Sequence, residues 1–326
     1  MESQIRLGIC GYGNLGRACV SEIGKNPDMT LRAVFTRRNP GDLPDTGVPA
    51  VRMGDAAQWR GELDVMLLCG GSANDLPVQG PELARMFSTV DSFDTHAKIP
   101  AYLDAMDKAA ALGGNLSVIS AGWDPGLFSL MRLYTESFLP KGKGYTFWGR
   151  GVSQGHSDAV RGVKGVENAV QYTIPSESAM QRIRGGETPE LTAREKHTRL
   201  CFVAAAEGAD RARIEREIKE MPDYFKDYDT EVRFVSASEL LDNHAGLPHG
   251  GSVIRVGTTG GANTQTAEFS IKLDSNPEFT ASVLLATARA AYRLYAQGAR
   301  GARTLFDIPP ALLIPQDPLA AVRELM

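Results

Sequence analysis

The chain has 326 residues, 43% of them hydrophobic and 23% charged, enough for two domains with cores and unlike a disordered or collagen-like chain. Its 35 basic and 39 acidic residues give a net charge of −4 without a long run of one sign, so a small molecule is expected as partner rather than nucleic acid. No apolar run approaches the roughly eighteen residues that span a bilayer, the N-terminus carries no basic, apolar, small-residue leader, and Cys10, Cys19, Cys69 and Cys201 lack CxxC spacing, so the expectation is a cytosolic protein with reduced thiols, no membrane span and no zinc site.

Taken in chain order, the first third alternates short apolar runs with helical patterns. IRLGIC (5–10), LRAVFT (31–36), DVMLLC (64–69), STVDSF (88–93) and LSVIS (116–120) are separated by helices from about 15 to 24, through PELARMF and through YLDAMDKAAAL. Continuously apolar strands between helices predict a doubly wound parallel sheet covered on both faces, a Rossmann-type α/β domain. From Trp123 onward the candidates are longer and carry alternating patterns with aromatics: YTFWGRGV, AVQYTIPS, RLCFVAAA, EVRFVSA, SVIRVG and TAEFSIKL. These predict a second, mixed-sheet α+β domain. The expected division is 1–122 for dinucleotide binding, 123–298 for substrate binding and dimerisation, and 299–326 as a tail packing back on the first domain.

GYGNLG, from Gly11 through Tyr12, Gly13, Asn14 and Leu15 to Gly16, follows the first strand and opens a helix. In that context the first glycine permits the tight turn, the second admits a pyrophosphate to backbone N–H groups, and the third lets helix and strand pack closely. A bare tight turn would use the same glycines, and the strand, helix and second strand around them favour a dinucleotide. Where an acidic residue usually meets the ribose of NAD, the second strand ends Phe35-Thr36-Arg37-Arg38. Two guanidinium groups beside a hydroxyl suit a 2′-phosphate and predict NADP; the alternative is a solvated loop. The third strand runs into Cys69-Gly70-Gly71-Ser72-Ala73, small residues at the edge the cofactor would cross. Cys69 is better read as a small apolar residue than as a nucleophile.

Asp94 and Asp124 fall at the carboxyl ends of successive strands, the edge where such sheets bind ligands. Asp124-Pro125 reads equally as a helix N-cap with proline at the first helical position. Residues 147–162, FWGRGVSQGHSDAVRG, mix glycines with Trp148, Gln154, His156 and Asp158, which suits a loop closing over a small polar ligand or a plain surface loop. His244 and His249 have no metal-binding spacing.

GYGNLGR, FTRR, CGGSANDLP, VDSFDTH, SAGWDPGLFSL, FWGRGVSQGHSDAVR, AVQYTIPS, MPDYF, GLPHGG and KLDSNPEFTAS, in this order and spacing, resemble meso-diaminopimelate dehydrogenases nearly end to end. The resemblance implies an NADP-dependent, dimer-based amino acid dehydrogenase acting on the D-configured centre of meso-2,6-diaminopimelate, in lysine and cell-wall precursor synthesis. It implies cofactor contacts at Gly11 to Leu15, Thr36 to Arg38, Cys69 to Ala73, Ser92, Phe93, Asp94, Ala121, Gly122, Trp123 and Asp124. The reacting centre would lie by Asp94, Trp123, Asp124, Trp148, Gln154, Gly155 and Asp158, with Asp94 and Asp124 catalytic. Thr173, Arg199, His249 and Asn276 would hold the distal L-centre. Sugar or inositol dehydrogenases fit less well, because Lys98 stands in HAKIP outside a Glu-Lys-Pro context, and the histidine-pair and lysine motif of dihydrodipicolinate-type reductases is not found. A broader D-amino acid dehydrogenase and a non-catalytic NADPH sensor are the remaining alternatives.

Overall fold

IRLGIC folds as β1 (Ile5–Cys10), buried almost throughout because helices cover both faces of its sheet. The computed structural model describes residues 4–326, and its contacts divide the chain into two units, one reaching Leu130 and resuming at Pro277, the other Met131–Asn276. In the first unit β1 is followed by α1 (Asn14–Ile23), β2 (Met29–Thr36), β3 (Ala50–Arg52), β4 (Val65–Leu68), α2 (Leu76–Ala84), β5 (Thr89–Asp91), α3 (Ile99–Gly113) and β6 (Leu116–Val118). α4 (Leu127–Phe138) runs across the division between the units.

The second unit continues with β7 (Gly142–Trp148), β8 (Gly151–Val152), α5 (Gln154–Arg161), β9 (Val166–Pro175), α6 (Glu177–Arg184), α7 (Ala193–Lys196), β10 (His197–Ala205), α8 (Arg211–Lys219), β11 (Asp229–Phe234), α9 (Ala237–His244), β12 (His249–Thr259) and β13 (Asn263–Leu273). It holds a mixed sheet ordered β11-β10-β9-β8, in which only β10 and β11 run parallel, and an antiparallel sheet ordered β13-β12-β7. One face of the mixed sheet packs Ala169, Cys201 and Val203 against Val160 of α5 and Ile214 and Ile218 of α8. The other face packs Tyr172, Leu200 and Phe202 against Leu240 of α9. This period-two division is what an α+β domain with both sheet faces covered requires.

The chain then returns to the first unit with α10 (Asn276–Ala296), β14 (Gly301–Arg303) and α11 (Pro318–Leu325). The first sheet is parallel throughout, ordered β14-β6-β5-β4-β1-β2-β3. Its strand order reverses between β1 and β4, which opens the crevice at their carboxyl ends where such sheets bind ligands. Ile5, Leu7 and Ile9 pack with α1 and α10, while Cys10, Phe35, Met66 and Leu68 pack with α2 and α3.

Two sequence expectations about the division differ from this arrangement. The division by contacts falls at Leu130, eight residues past the expected 122, because Gly122, Trp123 and the start of α4 keep their contacts with the first unit. Residues 277–298, expected in the second domain, belong to the first, where Ala281, Leu284, Leu285 and Ala288 cover β1. An apolar helix pattern shows that a face must be buried but not against which sheet. Residues 301–303 pair with β6 and so add a strand to the first sheet.

Candidate active site

At the glycine turn Gly11 has φ +96°, and a Cβ on Gly16 would lie 2.0 Å from the Gly11 carbonyl oxygen, so both positions require glycine. A Cβ on Gly13 would meet nothing within 4 Å, and the first turn of α1 contains no acidic residue. An open backbone at an uncountered helix N-terminus fits a dinucleotide pyrophosphate. The Cys69 and Cys19 Sγ atoms are 3.8 Å apart, and this contact followed by burial raises the Cys69 pKa well above its ordinary value, which is not the state of a nucleophile.

Arg37 and Arg38 stand just past β2. Arg38 donates from its backbone N–H to Thr36 Oγ1 (3.1 Å) and from Nη2 to the Tyr12 carbonyl (2.8 Å), which joins the arginine segment to the glycine turn. Arg37 Nη1 lies 2.8 Å from Asp75, whose other oxygen accepts the Gly71 N–H at 3.0 Å. Asp75 therefore ties the arginine segment to Cys69–Ala73, a link that the sequence reading missed.

Asp94 follows β5 and its N–H donates to Ser72 Oγ at 3.1 Å. Asp124 lies beyond β6 in a turn closed by bonds from Leu127 N to the Gly122 carbonyl and from Phe128 N to the Trp123 carbonyl. The Trp123 and Phe128 rings meet edge to face. α4 starts at Leu127, so Pro125 stands two residues before the helix and not at its first position as expected. The chain instead folds tightly on itself, with the Gly126 Cβ direction 1.9 Å from the Gly122 carbonyl oxygen.

In the second unit, residues expected as a ligand-closing loop form β8 and α5, so Gln154, Gly155 and Asp158 are helical. Asp158 is engaged by Arg161 of its own helix. Thr173 and Arg199 are cross-strand neighbours joined by a side-chain hydrogen bond. Gly151 also pairs with Thr173, and a Cβ on Gly151 would lie 2.5 Å from His249 Cγ, so the imidazole needs that glycine beneath it. The Trp148 N–H donates to His197 Nε2 at 2.9 Å. Trp148 and His249 thus lie on paired strands of one sheet and Thr173 and Arg199 on paired strands of the other, with Gly151 of β8 between His249 and Thr173, and Asn276, which follows β13, donates its N–H to the Leu247 carbonyl at 2.9 Å.

Arg199 is 8% exposed, and among the described residues no carboxylate pairs with it. Its Nε is buried without a hydrogen-bond partner, and its guanidinium lies 4.0 Å over the Tyr228 ring. Burial, then Arg199, lowers the His156 pKa to about 4; burial, then Arg199 and Lys196, lowers that of His197 to about 3. Both shifts favour neutral imidazoles at physiological pH, so the buried Arg199 guanidinium beside them is the group suited to an incoming anion. Tyr228, His197 and His156 were not selected from the sequence as its surroundings, since only strand pairing and the turn after α8 bring them there.

Residues 122–275 match the diaminopimelic acid dehydrogenase C-terminal domain. The meso-diaminopimelate D-dehydrogenase of Ureibacillus thermosphaericus is 57% identical over 325 residues, covering 99% of this chain and 100% of that one. The chain belongs to the meso-diaminopimelate D-dehydrogenase family. Among solved members, a Clostridium tetani E88 variant determined with DAP is 50% identical, with a TM-score of 0.95 over 99% of this chain and 100% of that one. That variant carries Q154L, T173I, R199M, P248S, H249N and N276S, and the present chain has Gln154, Thr173, Arg199, Pro248, His249 and Asn276 at those numbers. An engineered D-amino acid dehydrogenase bound to NADP+ is 44% identical, with a TM-score of 0.87 over 98% of this chain and 99% of that one.

Proposed function

We propose that this member of the diaminopimelate dehydrogenase family oxidatively deaminates the D-configured carbon of meso-2,6-diaminopimelate with NADP. Substrate, water and NADP+ give L-2-amino-6-oxopimelate, ammonium, NADPH and a proton, and the product then cyclises to tetrahydrodipicolinate. The observation that carries the reading is Arg199, a buried guanidinium with Thr173 beside it and no carboxylate of its own among the described residues. It supports recognition of a second carboxylate on the substrate, which simple D-amino acids lack.

When bound, NADP accepts a hydride from the substrate carbon. The chain's own residues have three tasks. Thr36, Arg37 and Arg38 bind the 2′-phosphate, and the glycine turn takes the pyrophosphate. Asp94 and Asp124 hold the reacting ammonium and pass its proton to water, because hydride leaves only when the nitrogen lone pair can form the imine. Arg199, Thr173, His249 and Asn276 hold the distal amino acid head, with Trp123, Trp148, Gln154, Gly155 and Asp158 beside the reacting one. We further propose a homodimer, on the family resemblance, and a cytosolic location, which suits the four free thiols.

The test measures NADPH formation with meso-diaminopimelate, D-lysine and D-leucine. Asp94→Asn and Asp124→Asn should each lower kcat by about a hundredfold while NADPH still binds. Arg199→Met with His249→Asn should lower kcat/KM for meso-diaminopimelate and raise it for D-leucine, shifting their ratio by roughly a thousandfold or more. Full activity in both aspartate variants would sink the placement of the reacting centre, and an unchanged ratio would sink that of the distal one.

A further inference from the structure

We propose that Asp91 is a positioning residue whose single carboxylate sets the two loops bearing Asp94 and Asp124 relative to each other. This rests on the reading of those aspartates as the groups at the reacting centre. The ladder between β5 and β6 ends at the pair Val90 and Val118; β5 runs one residue further, to Asp91, and both segments then continue as loops. Asp91, the next residue after Val90, takes over the connection. Its Oδ1 accepts from the N–H of Phe93, one residue before Asp94, at 2.9 Å, and from the N–H of Ser120, four residues before Asp124, at 3.0 Å. Its Oδ2 accepts from the Tyr102 hydroxyl on α3 at 2.8 Å, and its carbonyl accepts the Ala121 N–H at 2.7 Å.

The Asp91 carboxylate is fully buried and closed to solvent. Ser120 has φ +54°, a conformation that side chains other than glycine rarely adopt, and its own Oγ is buried without a partner. The bend is therefore stabilised by the backbone N–H bond to Asp91 and not by the serine hydroxyl. On the other loop the Phe93 ring stacks on Tyr102 at 4.2 Å, so the phenol and the carboxylate grip the same residue from two sides. Removing the carboxylate would orphan three buried donors at once and free both loops to drift. Asparagine keeps an oxygen for the two N–H groups and an amide to donate to the phenol oxygen.

The experiment compares Asp91→Ala and Asp91→Asn in the full chain, with rates expressed per NADPH-binding site so that loss of folded protein does not count. Asp91→Ala should lower kcat for meso-diaminopimelate by about a hundredfold and raise its KM, as expected for misplaced groups, whereas Asp91→Asn should stay within about threefold of the parent. An alanine variant within about threefold of the parent, or an asparagine variant as impaired as the alanine one, overturns the proposal. Should Asp91→Ala fail to fold, amide exchange in the parent protein decides. The Phe93 and Ser120 amides should be as protected as those of Val90 and Val118, and exchange at solvent-exposed rates overturns the proposal. Asp94→Asn and Asp124→Asn measured alongside separate the two ideas. Full activity in those variants defeats the reading of the reacting centre, while amide exchange still judges the clamp.

Discussion

At the scale of single residues, the proposal that the two arginines after β2 carry cofactor choice has a direct test. A charge-assisted contact to a phosphate contributes about 1.5 to 3 kcal/mol, so Arg37→Ala with Arg38→Ala should weaken NADP by at least roughly tenfold to a hundredfold and NAD far less. Equal losses measured by NADPH and NADH fluorescence titration would remove the argument. Asp91 makes a separate prediction about pH. Burial, partly offset by the N–H groups of Phe93 and Ser120 and the hydroxyl of Tyr102, raises its pKa from 3.8 to about 6. The folded state thus binds this proton more tightly than the unfolded chain, so its contribution is most favourable below pH 3.8 and is lost as pH rises to about 6. The difference amounts to about 3 kcal/mol. Asp91→Asn removes the titration, so its Tm relative to the parent should climb between pH 4 and pH 7, and a constant difference would refute the assignment.

At the scale of elements, the glycine turn separates two demands that the sequence motif merges. Gly16→Ala puts a methyl 2.0 Å from the Gly11 carbonyl oxygen, so α1 must shift, and a loss of about 1 to 3 kcal/mol in stability is expected along with weaker NADPH binding. Gly13→Ala meets no protein atom within 4 Å. It should keep the parent Tm and weaken NADPH binding alone, because its methyl points into the space where phosphate approaches the backbone. A Gly13→Ala variant with unaltered NADPH affinity would move the pyrophosphate elsewhere. The same scale shows where pattern reading ends. Residues 147–162 are rich in glycine and polar side chains and read as a loop, yet α5 forms there because Val160 and Ser157 find β9 to pack and bond against. Local propensity is a weak prior once a sheet face needs covering.

At the scale of the whole chain, the first unit is completed by residues nearly three hundred positions from its start. Arg289 on α10 is 2% exposed in its side chain and donates to Asp28 at 2.5 and 2.9 Å, to Asn26 at 2.7 Å and to the Leu313 carbonyl at 2.8 Å. It joins the β1–β2 connection, α10 and the tail in one knot. Arg289→Met leaves the part-exposed Asp28 without this partner and should cost about 1 to 3 kcal/mol, read as a lower urea midpoint for the first unit. A midpoint shifted by less than about 1 kcal/mol would make the knot ornamental. The sequence by itself determined what depends on neighbours along the chain. The glycine turn between strand and helix, the arginines that end the second strand and the apolar strands were legible from spacing, whereas Thr173, Arg199 and His249 were expected together only through the family resemblance. Tertiary structure alone decided what depends on distant partners: α10 in the first unit, Asp75 on Arg37, Tyr228 over the Arg199 guanidinium, and Asp91 between two loops. The physical reason is that burial and hydrogen bonding are properties of pairs, and a periodic pattern specifies that a face or a charge must be satisfied without specifying by which residue.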